Sequence, residues 1–93
     1  MTAISGQKTV AAAGTAEAIG TGMCMADLMI KALIGNTGYI YVGNDGAGDV
    51  SSANGQVLSA GDYIVLEQVA MFDHIYLDSS VNGEGVSWLL LNI

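Results

Sequence analysis

From Asp27 onward the side chains alternate with a period of two. Leu28, Ile30, Ala32 and Ile34 fall on one side of an extended chain, with Asp27, Met29, Lys31 and Leu33 on the other, which predicts a strand. Gly35-Asn36-Thr37-Gly38 predicts a turn, because Gly and Asn accept the positive φ values that turns need. Tyr39-Ile40-Tyr41-Val42 follows as a β-branched and aromatic run suited to a pleated, half-buried surface. A glycine-rich loop covers 43–49, and Asn54-Gly55 is the best two-residue hairpin signal in the chain. After a turn at Ala60-Gly61-Asp62, strands are predicted over 63–67, 74–78 and 86–91, with a further turn at 82–85. In the 74–78 strand, Ile75 and Leu77 share one face while His74, Tyr76 and Asp78 point outward. Short strands at intervals of roughly 8–12 residues indicate an all-β, antiparallel sandwich or barrel. No helical pattern is long enough to make a βαβ unit.

Residues 1–22 are small and weakly patterned. Gly14, Gly20 and Gly22 each cost about 1 kcal/mol in a helix, and no apolar stripe emerges. This stretch is expected to be a mobile arm with one or two short strands, near Lys8–Ala12 and Thr15–Ile19, ahead of a β domain over 23–93.

Two strands carry apolar side chains on both faces. On 27–34, Met29 and Leu33 oppose the Leu28 side; on 86–91, Leu89 and Leu91 oppose Val86, Trp88 and Leu90. A sandwich strand in a monomer shows polar residues on its outer face. Met29, Leu33, Leu89 and Leu91 are therefore expected at a subunit interface of a symmetric homo-oligomer, a trimer first and a dimer as the alternative. If the N-terminal arm folded back over that face, a monomer would result instead. Composition favours the oligomer. The 93 residues make one small domain, yet 52% are hydrophobic and 12% charged, against about 25% charged in an average domain.

Charge narrows the partners. Two lysines, no arginine and nine acids give a formal net charge of −7. Nucleic acid and anionic membranes recruit proteins through clustered cations, so neither is an expected partner. The longest apolar stretch, 23–34, is interrupted by Asp27 and Lys31 and too short to span a bilayer. Residues 1–20 lack the basic start and apolar run of a secretory signal, so the chain is expected in the cytoplasm when made, soluble and unprocessed.

Candidate chemistry is sparse. Cys24, between two methionines, reads as a buried apolar filler rather than a reactive thiol, since no basic neighbour would depress its pKa. His74 is the only histidine, so no His-based zinc cluster exists, and no third group orients a His/Cys pair. Asp45-Gly46-Ala47-Gly48-Asp49 resembles one turn of a calcium-binding loop but lacks the closing Glu and the tandem copies such sites need. Gly43–Gly48 has neither the Lys-Ser/Thr nor the helix of a phosphate-binding loop. No enzyme, cofactor or metal is expected.

Over 24–92 the chain resembles a group of small tailed-bacteriophage virion proteins. The matching residues are Ile30-Lys31-Ala32-Leu33 with Gly35-Asn36-Thr37-Gly38, then Ile40-Tyr41-Val42-Gly43-Asn44. They continue through Val50–Gly55, Leu58, Ala60-Gly61-Asp62, Ile75-Tyr76-Leu77-Asp78 and Val81–Ser87. The family usually has proline in the turn matched by Ala60-Gly61, and this chain has none. The resemblance implies a β-sandwich of jelly-roll type in a phage particle, expected on the exterior of the head. Its role there would be a capsid decoration (cement) protein bound to the major capsid protein. The alternative is a head- or tail-fibre component or a carbohydrate-binding module for host attachment, with Tyr39, Tyr41, Tyr63, Tyr76 and Trp88 stacking on sugar rings.

Overall fold

The computed structural model describes residues 4–45 and 48–92. Its strands are β1 (Ser5–Thr9), β2 (Glu17–Ala18), β3 (Met23–Ala32), β4 (Ile40–Gly43), β5 (Gln56–Leu58), β6 (Tyr63–Met71), β7 (Tyr76–Ser79) and β8 (Gly85–Leu91). They form two four-stranded sheets in the orders β1-β8-β3-β6 and β2-β7-β4-β5. Every strand pairing is antiparallel. The fold is therefore all-β, as the alternation predicts.

One core joins the sheets. Leu28, Ile30, Ala32, Val86 and Leu90 face it from the first sheet, and Ile40, Val42, Leu58 and Leu77 from the second. Burying such side chains is worth about 1.5–3 kcal/mol each. Trp88 closes one side of the core, its ring 4.9 Å from that of Phe72 and tilted by 50°.

The N-terminal stretch differs most from expectation. Its described part forms the two short strands expected, with β1 starting ahead of the expected 8–12 and β2 inside the expected 15–19. These pack into the sheets instead of standing off as an arm. β1 pairs along β8, and β2 pairs with β7, so the segment adds an edge strand to each sheet. Val10 and Ile19 are 0% and 3% exposed and belong to the core. The apolar pattern is missing because Gly6, opposite Trp88, leaves room for the indole: a Cβ there would sit 2.7 Å from Trp88 Cζ2. Lys8, the next residue on that side, bridges to Glu17 at 2.9 Å and so ties β1 to β2.

Other differences are local. Ile34 is 77% exposed, because β3 ends at Ala32 and Ile34 lies in the following turn rather than in the core. The turn near Asn54-Gly55 is centred on Ser52-Ala53, with Ser51 and Asn54 bridged, and Gly55 at φ 96° leads into β5. β6 continues to Met71, and His74 belongs to a 3-10 turn over Phe72–His74 instead of β7. Among the described residues no helix is long and apolar enough to cross a membrane.

Candidate functional site

The outer face of the first sheet is built by register. β3 is its hub: Met29 lies opposite Leu89 on β8 and opposite Val65 on β6. Since Leu28 and Ile30 point into the core, Met29, Leu89 and Val65 form a row across three neighbouring strands on the other side. One step along, Lys31 lies between Ser87 and Tyr63; one step the other way, Asp27 lies opposite Leu91. Leu33, just past the end of β3, donates its N–H to Gly85 O at 3.0 Å. It borders a shallow depression shared with Gln7, Lys31 and Ser87 of this face. Met29, Leu33, Leu89 and Leu91 thus lie together on one surface, all half-buried. Val65 and Tyr63, 44% and 63% exposed, extend it. From sequence Tyr63 is named only as a sugar-stacking aromatic and Val65 not at all, although their alternation with Ile64 and Leu66 is the available signal.

Charge borders the patch. Asp27 accepts from the Gln68 N–H at 2.9 Å and from Asn92 Nδ2 at 2.6 Å, and these bonds hold its carboxyl below the usual aspartate range. The N-terminal segment leaves this face open among the described residues. Its 11–15 loop lies instead against the second sheet, where Gly14 N–H donates to Asp78 Oδ1 at 2.9 Å and Ala13 N–H to Asn82 Oδ1 at 2.7 Å.

The remaining candidates are dispersed. Tyr41 is buried, Tyr76 is half-buried on β7 and Trp88 packs on Phe72, while the exposed Tyr39 precedes β4 of the second sheet and Tyr63 lies on β6 of the first, so the five aromatics make no common platform. Asp78 points outward from β7 as expected but is 2% exposed, since the Gly14 and Ser79 N–H groups cap its carboxylate. Cys24 is buried, and that burial pushes its thiol pKa up. His74 is exposed on the 3-10 turn.

The acidic loop is occupied with its own backbone. Asp49 Oδ1 accepts from the Asn44 N–H at 3.0 Å and the Asp45 N–H at 2.8 Å; Gly46 and Ala47 lie outside the described residues. Among the described residues no three His, Cys, Asp or Glu side chains converge as metal ligands. At the end of the molecule Glu84 joins two loops, accepting from Thr37 N and Oγ1 at 2.7 and 2.8 Å and from Gly38 N at 2.9 Å. The Thr37 N–H bond, followed by that of Gly38, lowers its pKa. What these residues offer is a surface, apolar at its centre and charged at its rim. No protein-family model matches the chain, and no curated protein does either.

Proposed function

We propose that the chain is a structural protein of a tailed-phage particle, a jelly-roll-type sandwich that assembles with copies of itself and decorates the outside of the head. The major capsid protein is its second partner, and the role is non-catalytic, without cofactor, nucleic acid or membrane. The observation that carries this reading is the Leu89–Met29–Val65 row on an uncovered sheet face. A stable interface buries about 800 Å² per partner. At about 25 cal/mol per Å² of its apolar part, that is a large driving force before association costs. The ordered resemblance over 24–92 supplies the virion context. The net charge of −7 suits a protein that stays soluble at high concentration before assembly and opposes binding to DNA.

Co-sedimentation with heads assembled from the phage's major capsid protein tests the decoration role. Saturable pelleting with the heads is expected, and a chain left wholly in the supernatant overturns the role. A second reading, host attachment through sugar stacking, draws on Tyr39 and Tyr63, each at least half exposed. Specific binding on a glycan array, abolished by Tyr63→Ala, would establish it in place of decoration.

A further inference from the structure

The main-chain bonds of β3 fix which groups of β6 point out of the sheet. Ala32 N–H donates to Asp62 O at 2.9 Å, toward β6, whereas Leu33 N–H donates to Gly85 O at 3.0 Å, toward β8. In an antiparallel ladder this direction alternates residue by residue. Ile30 and Leu28 therefore bond to their partners Ile64 and Leu66. The N–H and C=O groups of Tyr63, Val65 and Glu67 are turned the other way, and β6 is the last strand of its sheet.

We propose that β6 pairs with β6 of a second copy of this chain, antiparallel and two-fold symmetric about Val65. The inference rests on the self-assembly proposed above and gives it an edge contact, distinct from burial of the outer face.

Three observations converge on that register. The regular part of the edge is short, bounded by Gly61 at φ 84° and by the bulge at Gln68, φ 54°, whose N–H is drawn to Asp27. Centring on Val65 sets Val65 against its own copy and Tyr63 against Glu67 of the second copy. It is the register that engages all three outward residues, with about six main-chain hydrogen bonds.

Charge is complementary in the same register. Lys31 stands beside Tyr63, so Glu67 of the second copy lies two strand spacings away, about 10 Å between Cα atoms and within joint reach of the two side chains. Lys31 has no ion pair among the described residues, while Lys8 is held by Glu17. Within one chain Glu67 lies near Asp27, also acidic, and the contact would occur twice by symmetry.

The apolar row is also continuous across the axis. Leu89, Met29 and Val65 of one chain would lead into Val65, Met29 and Leu89 of the other, turning two patches into one strip.

Size exclusion with light scattering and a cross-linking experiment test this together. A species of twice the 9.5 kDa chain mass is expected. Val65→Cys should oxidise to a covalent dimer, since Cα atoms of a hydrogen-bonded pair lie about 5.5 Å apart, within disulfide reach. Ala70→Cys, exposed on the same strand beyond the bulge, should not. Lys31→Glu or Glu67→Lys alone should weaken the dimer by about tenfold, and the two together should restore it. A trimer overturns edge pairing and leaves self-assembly standing. So does a dimer that Leu89→Glu dissociates but that responds to neither the Val65 cross-link nor the charge reversals. A 9.5 kDa species at micromolar concentration overturns both.

Discussion

The two sheets share a core but treat their outer faces in opposite ways. On the second sheet, Tyr41 and Asp78 lie side by side and point outward, yet they are 6% and 2% exposed. The chain itself covers them: the 11–15 loop is pinned by the Gly14 N–H to Asp78, with Ser51 and Ser52 close by. On the first sheet, the matching central position is Met29 between Leu89 and Val65, and no loop among the described residues lies over it. Covering a sheet from within requires polar groups that satisfy the incoming backbone, which Asp78 supplies. A face of Met, Leu and Val offers no such groups and suits another apolar surface. The contrast teaches which outer face the chain covers with its own loop and which it leaves without such cover among the described residues.

Removing what the sheets have in common should have the largest effect. Leu28 is fully buried at the centre of the core. Leu28→Ala should cost about 2–5 kcal/mol, and urea unfolding followed by fluorescence of Trp88 measures it. A loss under about 1 kcal/mol would mean that the sheets do not share this core.

Uncovering the second sheet comes next. Asp78→Ala leaves the Gly14 and Ser79 N–H groups without their carboxylate and should cost about 1.5–3 kcal/mol, against a smaller loss for Asp78→Asn. Amide exchange should accelerate at Ala13 and Gly14 before it does in β3. Unchanged exchange there would show that the loop is held by something other than Asp78.

Acid should loosen both sheets, though less. Glu17, Asp27 and Glu84 have folded pKa values below their usual 4.5, 3.8 and 4.5. For Glu17 the first cause is its hydrogen bond from Lys8, then that from the Ala11 N–H. A depressed carboxylate stabilises the fold above its unfolded pKa and ceases to as the pH falls through the folded value. The urea midpoint should therefore stay flat from pH 7 to about 5 and fall below about 4. A midpoint that rises on acidification would show that relief of the net negative charge outweighs these bonds.

Much of this contrast is written in the sequence, and its gaps have physical causes. The alternation of Leu28, Ile30 and Ala32 against Met29 and Lys31 is legible because a period of two is a local property. A short strand near β1 is legible, but its place in the sheet is not, because its inward positions are Gly6, cleared for Trp88, and Lys8, which reaches Glu17 on the other sheet. Neither reads as apolar. The burial of Asp78 depends on a backbone group 64 residues away, so the alternation gives its direction but not its exposure. Likewise Met29 and Leu89 could be named from their own strands. That Val65 completes their row depends on the order β8-β3-β6, which no local pattern encodes.

The smallest expected effect on the fold is the most informative about the open face. Leu89→Glu and Leu33→Glu place a charge on half-buried outer positions and should change the stability of the single chain by no more than about 1 kcal/mol. Their effect on assembly should be large where copies meet through this face, because that contact would leave the carboxylate desolvated and unpaired. Pairing through the β6 edge alone leaves both positions in water. These two expectations separate in a melting experiment. An assembling protein is stabilised by mass action, so the melting temperature of the unaltered chain should rise with concentration. In the glutamate variants a face-to-face contact loses that dependence and an edge contact keeps it, while the melting temperature at high dilution stays close to that of the parent. If concentration moves neither protein, the first sheet's outer face is solvated like any monomer's surface and the contrast with the second sheet has no consequence for assembly. If both variants keep the parent's dependence and mass, the contact lies elsewhere on the molecule.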